Sequence, residues 1–134
     1  MTTTTASAGS VLLAQLRQQR EFWVELDDRQ HAGLAVKLRR PTESEMSGFT
    51  RQDGQQWTLT CDLAAVQRQA VDWRGFTEAV VLGPAIGAAD VVPFHTELWS
   101  ELVADRGDWA QACRQALIDR IAQHLEQQVA DRKN

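Results

Sequence analysis

The sequence lacks most of what chemistry requires. Its three histidines, His31, His95 and His124, are scattered, and its two cysteines, Cys61 and Cys113, lie far apart with no Cys-x-x-Cys pair. That spacing excludes a metal-ligand motif of the zinc type. Both cysteines fall in apolar contexts, where a reduced thiol behaves as a small hydrophobe. Gly83-Pro84-Ala85-Ile86-Gly87 is rich in glycine but lacks the Gly-Lys-Ser/Thr ending that puts a cation and a hydroxyl at a phosphate. Long apolar runs are missing too: Ala79 to Phe94 comes nearest, but glycines, prolines and Asp90 interrupt it before the ~18 residues a membrane span needs. A basic surplus is absent, since the net charge is -4 and the pI about 5.3. Lys37-Leu38-Arg39-Arg40 is the one basic run, and without interleaved aromatics it reads as a solvated strand end. Residues 1–10 are a Thr/Ala/Ser/Gly segment with no positive start and no apolar centre, so a disordered tail is expected there and not a signal peptide. These absences lead to the expectation of a soluble cytoplasmic protein without cofactor, metal, membrane or nucleic-acid partner.

What is present is the pattern of a globular domain. At 134 residues and 43% apolar, the chain is long enough for one core without disulfide or metal. A single domain is expected over 11–130, with 131–134 frayed. Val11, Leu12, Leu13 and Leu16 predict a helix over Val11 to Arg20, with Ser10 as its N-cap. The period then changes to two. Phe22, Val24 and Leu26 alternate with Trp23 and Glu25, and Leu34, Val36 and Leu38 alternate with Ala35, Lys37 and Arg39, across a polar connection ending in Gly33. That pattern predicts an antiparallel hairpin. After Pro41, Thr42 and Glu45 have capping-box spacing for a short helix that buries Met46 and Phe49. Asp53-Gly54 marks a turn, followed by an extended Trp57-Thr58-Leu59-Thr60. From Asp62, the spacing of Leu63, Val66, Ala70 and Trp73 predicts a helix with Gln67, Arg68 and Gln69 on its wet side.

Val71-Asp72-Trp73-Arg74-Gly75-Phe76 is the hinge of the chain, with two aromatics flanking a residue that tolerates positive φ. Trp73, Gly75, Phe76, Phe94, Trp99 and Trp109 are read as structural anchors. Between the hinge and Pro93, the apolar insert admits a small hairpin or an ordered loop. Val80, Val81, Leu82, Ile86, Val91 and Val92 are its candidate surface for a partner or for self-association. Two amphipathic helices then follow, Thr96 to Ala104 with Leu98, Trp99, Leu102 and Val103, and a longer one from Asp108, which pairs with Gln111 as a cap. Its stripe is Trp109, Ala112, Cys113, Ala116, Leu117, Ile121 and Leu125. His95 beside Glu97 and Asp90 reads as a helix start and not as a base, since no nucleophile accompanies it. The fold class is α+β, an N-terminal antiparallel β-hairpin packed with a mostly helical remainder.

Three segments in order carry a resemblance: Arg39-Arg40-Pro41-Thr42-Glu43-Ser44-Glu45, then Val71 to Phe76, then Val92-Pro93-Phe94-His95-Thr96-Glu97. Over Phe22 to Gln123 the chain resembles the tail assembly chaperones of long-tailed bacteriophages and prophages. It departs from their pattern in a longer insert, Val80 to Asp90, and in His95 at a position where a small capping residue is usual. The resemblance implies a protein of the host cytoplasm that is not an enzyme. It implies binding of the tape measure protein, which is kept soluble while tail tube protein polymerises around it; a homo-oligomer is expected instead from the apolar surface Val80, Val81, Leu82, Ile86, Val91 and Val92. A tail-completion or adaptor protein docking one fixed partner is the alternative, and a small cytoplasmic enzyme the residual one.

Overall fold

The structure, a computed structural model, describes residues 7–133. Helix α1 spans Ala8–Arg20, and strands β1 (Glu21–Glu25) and β2 (Ala35–Arg39) follow. β3 (Thr50–Asp53) and β4 (Gln56–Leu59) form a second hairpin. Then come α2 (Leu63–Gln69), β5 (Ala70–Arg74), α3 (Glu78–Leu82), α4 (Thr96–Ala104) and α5 (Gly107–Lys133). The fold is α+β. β1 pairs antiparallel with β2, Phe22 opposite Leu38 and Val24 opposite Val36, as the alternation predicts. The core face carries Phe22, Leu26, Leu34, Val36 and Leu38, and α2, α4 and α5 cover it through Val66, Trp99, Val103, Trp109, Cys113 and Leu117.

Several expectations are corrected. The helix predicted through Trp73 stops at Gln69. Ala70–Arg74 instead adds a third, antiparallel strand to β2, with Trp73 opposite Val36 and an irregularity between Lys37 and Leu38. Gln69, expected on the wet side, is fully buried; its Nε2 donates to the Arg39 carbonyl at 2.7 Å, which offsets part of the cost of burying the amide, while its Oε1 has no partner among the described residues. Thr42 and Glu45 do bond through Thr42 N and Oγ1, at 2.9 and 3.0 Å, but they close a turn that leads only into a 3-10 segment, Met46–Phe49. Met46 and Phe49 are buried there with Ala65 and Ile121.

Near the two ends of the described residues the helices reach further than expected. α1 begins at Ala8, capped by the Ser7 side chain accepting from Ser10 N at 3.1 Å, so Ser10 is inside the helix. Of the expected tail, residues 1–6 lie outside the described residues. α5 is helical through Lys133, and Asn134 lies outside the described residues. Asp108 is not the cap of α5. The helix starts at Gly107, and the Asp108 carboxylate is held by Arg106. The insert is neither hairpin nor plain loop: Thr77 caps α3 through Val80 N, and Gly83 at φ 99 ends it.

Candidate functional site

At the hinge the aromatic residues form a closed cage. Trp73 stacks on Phe76 at 4.3 Å and meets Phe94 edge-on at 5.3 Å. Phe76 meets Trp109 edge-on at 5.8 Å, and Trp99 and Trp109 stack at 6.5 Å. Each of these indoles also satisfies its polar edge: Trp73 Nε1 donates to Val92 O at 2.7 Å, Trp99 Nε1 to Val66 O at 3.3 Å, and Trp109 Nε1 to Asp27 O at 3.1 Å. These bonds spare the rings the cost of a buried, unpaired N–H. Gly75, at φ 83, brings its α-carbon so close to Gly33 that an added Cβ would sit 2.6 Å from the Gly33 carbonyl oxygen. The anchor residues therefore lie in one packed aromatic cluster.

The insert divides in two. Val80 and Val92 pack against the core and Val81 is half-buried, whereas Leu82, Ile86 and Val91 are 55%, 78% and 78% exposed. Backbone bonds from Glu78 N to Asp90 O and from Ala79 N to Ala88 O hold the loop against α3. The exposed part of the candidate surface is thus Leu82, Ile86 and Val91, the last at the base of the insert where it bridges Thr77, and not all six residues.

A larger exposed face lies on α1, which buries no residue. Val11, Leu12, Leu13 and Leu16 are 47–60% exposed. Leu12, Leu13 and Leu16 share a side with Gln19 and Arg20, one turn further on. Those two residues enter a cleft of about 230 Å³, lined also by Arg40, Arg120, Gln123, His124 and Gln127. Arg40 N donates to Arg20 O at 2.8 Å, which fixes the end of α1 beside the end of β2. Burial, and next the charge of Arg20, hold the Arg40 guanidinium below its ordinary pKa. Periodicity marks α1 as a helix, but the convergence of arginines from positions 20, 40 and 120 is invisible in any sequence window.

No family model, curated protein or solved structure matches the chain.

The remaining polar clusters are structural in form. Arg106 donates to Asp108 at 3.0 and 2.8 Å and to Asp28 Oδ2 at 3.0 Å, and it lies over the Trp109 ring at 3.9 Å. This knot ties the β1–β2 connection to the start of α5 and borders an open cleft of about 580 Å³. Burial works against ionisation of Asp28, but hydrogen bonds from Gln30 N and Arg106 outweigh it and keep its pKa below the usual value. Burial pushes the Cys61 thiol up to about 11 and the Cys113 thiol up to about 12, so neither forms a nucleophilic thiolate near neutrality. Among the described residues there is no group of three or more His, Cys, Asp or Glu side chains placed to hold a metal. Nor is any described helix long and apolar enough to cross a membrane.

Proposed function

We propose that the protein is a tail assembly chaperone of a long-tailed phage or prophage, acting in the host cytoplasm. It binds the tape measure protein and keeps it soluble while tail tube protein polymerises around it. The observation that carries this reading is α1, a thirteen-residue helix with four exposed apolar side chains and no buried residue. A helix of that length is marginal in water on its own, so its order and its apolar face both gain from a covering partner. A long amphipathic client helix supplies that cover. Completing the burial of four half-exposed side chains contributes roughly 1 kcal/mol apiece, enough for reversible holding when repeated along a client. The exposed Leu82, Ile86 and Val91 of the insert offer further apolar contact of the same kind.

Co-expression with a tape measure protein tests the reading. The pair Leu12→Gln and Leu13→Gln keeps helix-forming residues in α1 while removing its apolar character. Soluble tape measure protein is expected to fall several-fold with this variant while the chaperone itself remains soluble and native. An undiminished yield would overturn the chaperone reading. Tight one-to-one binding of a different tail component, unaffected by this pair, would favour the fixed-partner adaptor.

A further inference from the structure

Where α1 runs into the sheet, the backbone sets two like charges together. The bond from Arg40 N to Arg20 O continues the β1–β2 register one step past Glu21 and Arg39, so the two arginines stand opposite each other. Like charges in that position destabilise a strand pair. Arg120 of α5 lies over the Phe22 ring at 4.5 Å and brings a third guanidinium to the same cleft. No Asp or Glu lines this cleft, and among the described residues none of the three arginines has an ion-pair partner. Glu43, whose charge reaches Arg40, lies outside the lining and is engaged with His124 at 3.6 Å. Arg40 uses Nη1 on the Pro41 carbonyl at 2.7 Å and keeps its other N–H groups. Gln19 and Gln123 add side-chain amides from α1 and α5.

We propose that this cleft binds a phosphate group, inorganic or a monoester, held by Arg20, Arg40 and Arg120. The number and direction of the donors decide the ligand class. A guanidinium fork suits carboxylate and phosphate alike. A carboxylate, however, offers two oxygens in one plane, whereas these guanidiniums converge from three elements, α1, β2 and α5. A tetrahedral phosphate turns an oxygen to each, and as a dianion it offsets more of the three positive charges. At about 230 Å³ the cleft is smaller than the ~300–1,000 Å³ of a pocket for a drug-sized ligand, so it takes the phosphate and leaves the rest of a monoester outside. No aromatic ring lines it as a stacking platform, which disfavours single-stranded nucleic acid. A bound anion converts the repulsion between Arg20 and Arg40 into attraction and so stabilises the junction of α1 with the sheet. The site lies at the base of α1 and not on its apolar face, so it does not depend on the identity of any client.

The test is thermal unfolding of the full chain in sodium phosphate against sodium chloride of equal ionic strength, at about pH 8, where phosphate is chiefly the dianion. Half-saturation is expected at about 1 mM phosphate, so that about 10 mM raises Tm by roughly 4 °C. Arg20→Gln with Arg120→Gln is expected to weaken phosphate binding by about tenfold or more. Arg29→Gln with Arg51→Gln removes the same charge from outside the cleft and is expected to leave binding unchanged. If the first pair does not fold, Arg20→Gln alone serves: losing the repulsion from Arg40 and the favourable charge at the end of α1 together should leave Tm in chloride within about 2 °C of wild type, while most of the phosphate gain disappears. Phosphate that stabilises no more than chloride or acetate, an unchanged response in Arg20→Gln, or an equal loss in the Arg29 and Arg51 pair would overturn the proposal. Vesicles of phosphatidylcholine with and without phosphatidic acid separate the sources, since the exposed apolar face of α1 adjoins the cleft. Pelleting only with phosphatidic acid, abolished by Arg20→Gln, places the phosphate on a lipid, and no pelleting keeps it on a soluble molecule. A single-stranded oligonucleotide that binds through these arginines and is not displaced by phosphate would overturn the assignment in favour of nucleic acid.

Discussion

α1 and α4 are both short helices with apolar residues at helical spacing, and they have opposite fates. α4 has nine residues and buries Trp99 and Val103 completely. α1 has thirteen and buries none. The difference lies in what the fold places opposite each helix. α4 lies against α2, where Gln67 Nε2 bonds Ser100 O at 3.0 Å and the Trp99 indole bonds Val66 O. α1 precedes the first strand and is held at its end by the Arg40–Arg20 backbone bond. Amphipathicity therefore specifies that a face wants cover, and only the fold shows whether the same chain supplies it.

The sharpest way to break that contrast is to empty the α4 side of the core. Trp99 is fully buried between Phe76 and Trp109. Trp99→Ala is expected to cost about 3–5 kcal/mol by leaving a cavity and orphaning the Val66 carbonyl. Trp73→Ala, which loses the Phe76 stack and the bond to Val92, is expected to cost about 3 kcal/mol or more. Urea denaturation measures both, and a loss below ~1 kcal/mol for either would mean that its ring is not a core anchor.

The tryptophan results bear on how much of the fold the sequence discloses. The strands β1 and β2, the turn at Asp53-Gly54, and α4 and α5 follow from local period and turn residues, with a cap at His95 only for α4. Trp73 was legible as an anchor, because a Trp-x-Gly-Phe step has few exposed uses, but its element was not. Val66, Ala70 and Trp73 keep helical spacing, and pairing with β2, which turns Ala70–Arg74 into a strand, is a long-range choice that local propensity does not encode. α3 had its signals in Thr77, Glu78 and Gly83, yet the valine run around them suggests a strand equally well. Exposure within the apolar insert is not legible from its residue types. Leu82, Ile86 and Val91 are exposed, whereas Val80 and Val92 are partly buried against the core. The arginine cleft was illegible, being assembled from three separate elements.

A smaller effect is expected where the β1–β2 connection meets α5. Arg106→Gln removes the bonds to Asp28 and Asp108 together with the contact over Trp109, and should cost about 1 kcal/mol near neutral pH, since Asp108 is largely solvated. The sign of its pH dependence is fixed by the carboxylates. Both Asp28 and Asp108 have folded pKa values below the ordinary one, Asp28 through Gln30 N and Arg106 against the opposing effect of burial, Asp108 chiefly through Arg106. Their contribution is thus complete above the unfolded value of roughly 3.9 and disappears as pH falls through the lowered folded values. Wild type and variant should converge in stability in that acid range. A gap that stays constant with pH would assign the cost to the ring contact alone.

The smallest effect is expected at α1, and it decides the comparison. The pair Leu12→Gln and Leu13→Gln, applied to the isolated protein, should change unfolding stability by no more than about 0.5 kcal/mol, because the side chains removed touch no core. In α4 a comparable change at Trp99 or Val103 would be severe. Two large aliphatic residues whose loss leaves the fold intact but lowers the yield of soluble client would be committed to something outside the chain. A loss of 2 kcal/mol or more, by contrast, would mean that α1 folds back over apolar surface in solution, and the two helices would then differ only in degree. The measurement separates these cases without any partner present, since an α1 face that the chain covers itself resists substitution and a face kept for another molecule does not.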